Sequence, residues 1–129
     1  MTVPDAPLRD VETAADVGTV VAAFYGTIAA DPVLGPFFAH LDMNEHVERL
    51  TRFWSSVVFS TATYKGQPLA KHFGLGLAPG HFVAWLLRFE RVVGERFAGE
   101  NADRMRQRAR QIAAVFQVRL GLDPATPLA

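Results

Sequence analysis

The chain predicts an all-α domain, and three observations carry that prediction. Apolar residues recur at steps of three and four in four separate segments. No stretch alternates apolar and polar residues as a half-buried strand does. Proline and glycine cluster between the periodic segments, where helices have to stop. At 129 residues the chain suits a single domain, long enough for a real core. Residues 13–121 are expected to form it, preceded by a loose arm over residues 1–12, where two prolines stand among few large apolar groups.

The first helix carries Val17, Val20, Val21, Phe24, Tyr25 and Ile28 on one stripe. Asp31-Pro32 ends it, because the residue before proline is pushed out of the helical region. Val33 to Phe38 then reads as a turn bearing two rings of the kind that are buried. Asp42, with Glu45 three residues on, marks a helix start with a partial capping box. Val47, Leu50, Phe53, Trp54, Val57 and Val58 form that helix's apolar stripe, which frays near Thr61–Thr63. Pro68 opens a short helix that puts Leu69 and His72 on one face. Gly74, Gly76, Pro79 and Gly80 form a flexible link. A third long helix covers His81–Phe97, with Phe82, Trp85, Leu86, Phe89, Val92 and Val93 inward. Asn101 caps the fourth, whose stripe is Met105, Ala109, Ile112, Phe116 and Leu120, and Gly121 closes it.

Composition excludes several function classes. Lys+Arg and Asp+Glu are both 13, a balance that points neither to nucleic acid nor to an anionic membrane. Without cysteine there are no disulfides, thiolate zinc sites or thiol catalysis. No apolar run approaches the roughly 20 residues of a membrane span, and the N-terminus lacks a signal peptide's basic start and apolar centre. A cytoplasmic protein is the expectation. No Gly-rich phosphate loop follows a strand, no i, i+3 Glu/His pairing suggests a di-iron bundle, and the arginines at 104, 106, 108 and 110 spread around a helix as a solvated face. The excess lies in aromatics: ten phenylalanines and two tryptophans. Such a core is either unusually aromatic or built around something flat.

Candidate chemistry rests on a few polar tips. His72 follows the Gly66-Gln67-Pro68 turn on a segment bounded by glycines. A lone imidazole so placed, facing helices rich in phenylalanine, suits an axial ligand for haem iron. His46, at the edge of an apolar stripe, is either a rim histidine or a group lying over a ligand. Tyr25 and Trp85 sit on apolar faces, and each needs a hydrogen-bond partner, found either in the core or on a ligand. Three such tips are easiest to satisfy together if they converge on one polar ligand. His40 and His81 stand at segment ends, where solvation or capping is expected.

The segments AFYGTI (23–28), LGPFF (34–38), FW (53–54), YKGQPLAKH (64–72) and AWLLRFE (84–90) resemble the third group of truncated haemoglobins. The similarity runs from Val17 to Leu120, and the Tyr-x-Gly-Gln-Pro-Leu-x-x-His string is quite specific to that group. The paired-glycine motifs of the other two groups are absent. The resemblance implies a two-over-two helical sandwich around haem b. It places His72 as proximal iron ligand, Tyr25, His46 and Trp85 on the distal side, and Phe38 as a wedge against the haem. Leu50, Phe53, Leu69, Phe82 and Phe89 would then line the haem faces, with Arg49 and Lys71 near the propionates. It further implies a protein that binds O₂ and related diatomic ligands (NO, CO). The alternative is an enzyme, a nitric oxide dioxygenase or a peroxidase, supplied by an external reductase.

Overall fold

The computed structural model describes residues 7–60 and 75–122. Its order is α1 (Ala14–Ile28), a short 3₁₀ helix (Gly35–Phe38), α2 (Met43–Phe59), α3 (Pro79–Arg96) and α4 (Glu100–Arg119). There is no strand among the described residues. The predicted fraying at 61–63 and the short helix at 68–72 lie outside them.

The helices form two antiparallel pairs laid on each other. In the first, Gly18 of α1 faces Thr51 of α2 and Tyr25 faces His46. In the second, Arg110 Nε on α4 meets Glu90 Oε1 on α3 at 2.6 Å. Phe24 of α1, Trp54 of α2, and Trp85 and Phe89 of α3 join the pairs through ring contacts. The core these helices enclose is almost wholly apolar, with Val17, Val20, Phe24, Ile28, Phe89, Val93 and Met105 buried. Their 3–4 spacing is the stripe that water expels.

Local chemistry sets the boundaries. Thr13 caps α1 by accepting from Asp16 N, and the Asp16 carboxylate accepts from Thr13 N in return, a reciprocal box. Asp42 accepts from Glu45 N as anticipated. After α1, Asp31 Oδ1 accepts from Val33 N and Leu34 N at 2.8 and 2.9 Å. Its other oxygen pairs with Arg88 of α3, so the turn is tied to the opposite layer. Gly35 is needed there, because a Cβ would lie 2.8 Å from the Ala29 carbonyl oxygen. The α3 helix starts at Pro79 and not His81, since proline suits the first helical position.

Two expectations are corrected at the N-terminus. The arm is not loose from Arg9 onward: Val11 is fully buried, and Ala98 N donates to Arg9 O. Arg9 lies over the Phe97 ring at 5.3 Å and pairs with Asp16 at 2.6 Å. Nor does Asn101 cap α4. The cap position is Gly99, and the carboxylate serving the exposed amides comes from Asp10, which accepts from Asn101 N and Ala102 N at 2.9 Å each. Gly99 has φ +145°, and a Cβ there would meet the Asp10 side chain at 2.5 Å. An anion at a helix N-terminus is favoured by the unpaired amides and the helix dipole.

Both carboxylates titrate low. The Arg9 guanidinium holds Asp16 well below the ordinary carboxylate range. For Asp10 burial pushes upward, but N–H donation from Asn101, Ala102 and Val11 prevails and its value falls. A depressed folded value means stability that is present above about pH 4 and is lost as pH falls through it. Asp10→Ala should therefore lower stability at pH 7 by about 1–2 kcal/mol. That penalty should shrink in acid, where the native carboxylate is itself protonated. Urea unfolding of both proteins at neutral and acidic pH checks this, and equal midpoints at neutral pH would contradict it.

Candidate functional site

Between the two layers lies a cavity of about 490 Å³. Protein interiors hold few voids larger than a water molecule, and this volume falls within the range of small-molecule sites. Each element supplies its wall through its own periodicity. On α2, His46, Leu50 and Phe53 project to one side at spacings of four and three. On α3, Phe82 and Trp85 do the same, and α4 adds Ile112 and Phe116. Tyr25 comes from α1, and Phe37 and Phe38 from the 3₁₀ helix.

The polar tips meet in this space. The His46 ring stands edge-on to Tyr25, centroids 4.6 Å apart at 88°. Phe38 closes a triangle with them, 5.5 Å from Tyr25 and 5.6 Å from His46. Both ring nitrogens of His46 are shielded from solvent, and Tyr25 is 5% exposed. Burial pushes the Tyr25 phenol above its usual value, outweighing a hydrogen bond from Trp85 that favours the ionised form. The phenol therefore stays protonated at physiological pH and keeps a proton to donate. Around these tips the wall is mostly hydrocarbon, so a hydrogen bond made there faces little competition from water.

Of the residues singled out in the sequence, Tyr25, Phe38, His46, Leu50, Phe53, Phe82 and Trp85 all border the cavity. Leu69 and His72 lie outside the described residues. Phe89 stands one layer behind, its ring stacked on Trp85 at 5.4 Å and 9° and on Trp54 at 4.8 Å and 23°. Its place follows from helix geometry: four residues after Trp85, it turns toward α1 and α2, and Phe24 meets it edge-on at 5.3 Å. It supports the wall without forming it.

Several wall residues escaped the sequence reading. Phe37 and Phe116 were recognisable as rings of the buried kind, with nothing to say what they face. Leu75 and Leu77 lie on irregular chain, where periodicity gives no signal. His81 does cap, since its Nδ1 accepts from Ala78 N at 2.8 Å, yet it also borders the cavity, as does His40. Arg49, which the resemblance placed near the propionates, borders it too. Among the described residues no cluster of three or more His, Cys, Asp or Glu could hold a metal ion, and no helix is long and apolar enough to cross a membrane.

Comparison with known proteins gives a consistent picture. The family described as "Bacterial-like globin" matches residues 10–118. Group 3 truncated hemoglobin ctb of Campylobacter jejuni is 31% identical over 108 residues, which span 78% of this chain and 85% of the relative. Group 1 truncated hemoglobin GlbN of Nostoc commune is 35% identical over 80 residues, 61% of this chain and 64% of the relative. The crystal structure of the group III truncated hemoglobin from Campylobacter jejuni superposes with a TM-score of 0.80 at 28% identity, covering 88% of this chain and 94% of that one. A truncated hemoglobin from Tetrahymena pyriformis gives 0.67 at 22% identity, over 84% and 90% of the two chains, a likeness of fold.

The Trp54–Phe89–Trp85 stack yields a test. Phe89→Ala should destabilise the protein by about 3–5 kcal/mol and weaken the near-ultraviolet circular dichroism that ordered tryptophans produce. An unchanged spectrum together with unchanged stability would contradict the supporting role.

Proposed function

The chain belongs to the bacterial-like globin family, in the third group of truncated haemoglobins, and we propose that it binds haem b in this cavity and uses it to hold O₂ or a related diatomic ligand such as NO or CO. One observation carries the reading. Tyr25, Phe38, His46 and Trp85, from four different elements, surround one cavity whose remaining wall is largely apolar. The residues suit the group: flat rings and aliphatic side chains for a macrocycle, and clustered donors for a small polar ligand. Bound haem iron supplies an open coordination position for such a ligand. His72 is the residue we assign to hold the iron, on the strength of its place in the Tyr64–His72 motif.

The distal residues then have separate tasks. Tyr25 keeps its proton because burial disfavours the phenolate, so it is a donor across the physiological range. Trp85 carries an N–H that can only donate, and its stacking on Phe89 fixes the indole plane. Phe38 and Phe53 exclude water, which strengthens each hydrogen bond made inside. His46 stands beside Tyr25 on the α2 wall and is assigned to the route by which ligand arrives and leaves. A ligand held by two such donors departs slowly, which suits scavenging, sensing or redox chemistry better than bulk O₂ delivery.

Two experiments test this. Tyr25→Phe and Trp85→Phe should each speed O₂ dissociation by the equivalent of about 1–3 kcal/mol, and the double variant should depart from the sum, since the two groups act on one ligand. Stopped-flow rates equal to the native protein's in both single variants would overturn the assignment. Separately, His72→Ala should leave the haem weakly held or misligated, whereas His40→Ala should leave its absorption spectrum unchanged. A normal spectrum in His72→Ala without added imidazole would show the ligand assignment to be wrong.

A further inference from the structure

The net charge of zero conceals a split between the two layers. Residues 7–60 carry three arginines and seven carboxylates, whereas residues 75–122 carry eight arginines and four carboxylates. The second layer, α3 with α4, also bears half of the large apolar side chains that are exposed among the described residues. These are Val83 at 41%, Leu87 at 63%, Val115 at 51% and Val118 at 65%. Single exposed apolar side chains are ordinary, but a contiguous group of them marks a surface that meets something other than water.

Helix register brings the four together. Arg110 meets Glu90 at 2.6 Å, and a Cβ on Gly94 would lie 3.3 Å from Arg106, so the two helices run antiparallel with residue 90 level with 110. On that register Leu87 stands level with Ala113, and Val83 with Gln117. Ile112 and Phe116 of α4 border the interlayer cavity, while Val115 and Val118 face outward beside Val83 and Leu87. Arginines without a carboxylate partner border this patch. Elsewhere in the layer Arg104, Arg106 and Arg110 pair with Glu100, Asp103 and Glu90. Arg91, one turn beyond Leu87, and Arg119, one turn beyond Val115, are exposed and have no ion pair among the described residues. Arg108, two turns before Val115, bonds only the neutral Gln111, at 3.1 Å. Glu95, the unpaired carboxylate of α3, lies a further turn beyond Arg91, away from the apolar patch.

We propose that the outer face of α3 and α4 docks peripherally on an anionic lipid bilayer, the four aliphatic side chains entering the interface while Arg91, Arg108 and Arg119 hold lipid phosphates at its margin. Charge complementarity selects the occupant. A guanidinium binds phosphate through two N–H groups and is weakly hydrated, which suits a half-dry boundary. A second copy seated face to face would bring the same unpaired arginines against these, and like charges repel. An acidic protein would satisfy the arginines, but protein interfaces are anchored by aromatic side chains seated in pockets. The exposed large apolar residues here are Leu and Val without a ring among them. Neither the interlayer cavity nor the charged cleft between α3 and α4 is lined by any of the four. A chain held on a bilayer meets O₂ and NO where they are most concentrated, since both dissolve better in hydrocarbon than in water. The inference stands apart from the haem reading and survives its failure.

The test floats the full chain with unilamellar vesicles of phosphatidylcholine alone, or of phosphatidylcholine and phosphatidylglycerol in equal parts. The native chain, with or without haem, should rise with the anionic vesicles and stay behind with the neutral ones, and added salt should release it. Arg91→Gln and Arg108→Gln should each weaken partition about fivefold, and Leu87→Ser should weaken it as well. Arg52→Gln and Val33→Ser change an exposed cation and an exposed apolar side chain elsewhere and should leave partition unchanged. No binding of the native chain to anionic vesicles at low salt overturns the proposal. An equal loss in the Arg52 and Val33 variants also overturns it, because binding would then follow overall charge and not this face. A dimer in sedimentation equilibrium without lipid, dissociated by Leu87→Ser, would give the face to a second copy instead. Retention on immobilised polyglutamate that Arg91→Gln abolishes, without vesicle binding, would give it to an acidic protein.

Discussion

The cavity exists because one aromatic cluster holds three helices at a fixed separation. Phe89 links the cluster, its ring stacked on both Trp85 and Trp54 and in edge-to-face contact with Phe24. These rings come from α1, α2 and α3, so each helix is positioned against the other two by large, rigid surfaces. A core of branched aliphatic side chains has more ways to repack and could collapse into a space of about 490 Å³. Stacked rings have few rotamers and resist that collapse. The same stack sets the plane of Trp85, linking the packing of the core to the orientation of a donor.

Against this apolar background the polar tips are costly unless they find partners. Tyr25 illustrates the balance. Burial keeps its phenol protonated, and a hydrogen bond from Trp85 offsets that only in part. What results is a donor whose state does not change with physiological pH. The periphery of the domain uses the opposite strategy. There Asp10, Asp16 and Asp31 remain ionised because backbone amides and arginines surround them, and they fasten the N-terminal segment and the turn after α1 to the helices. Tyr25 thus brings a neutral donor to the cavity, while ionised carboxylates tie the periphery.

Much of this was legible in the residues alone, because amphipathic periodicity reports which face of a helix is buried. The stop after α1 and the start of α2 were read from Asp31 and Asp42, whose short side chains act within a few residues, whereas the Thr13–Asp16 box that opens α1 was not. The seating of residues 9–12 was not legible: Asp10 caps α4 from about ninety positions away, and no local pattern encodes such a contact. The start of α3 was placed too late because Pro79 and Gly80 resemble a linker until Pro79 is seen to fit the first helical turn. Periodicity also cannot tell a wall from the layer behind it, so Phe89 and Phe82 look alike in sequence although only Phe82 borders the cavity. His81 was hidden for a related reason, since one side chain both caps α3 and borders the cavity.

The proposed seat of one haem is the space framed by Tyr25, His46, Phe53 and Trp85. Titrating the purified, haem-free chain with haem, while recording the Soret band and tryptophan fluorescence together, tests it most directly. Trp54 and Trp85 both border the cavity, so haem bound there should give a sharp Soret band that saturates at one haem per chain, with quenching of both tryptophans ending at the same point. A broad band like that of free haem, without saturation and without quenching, would contradict it.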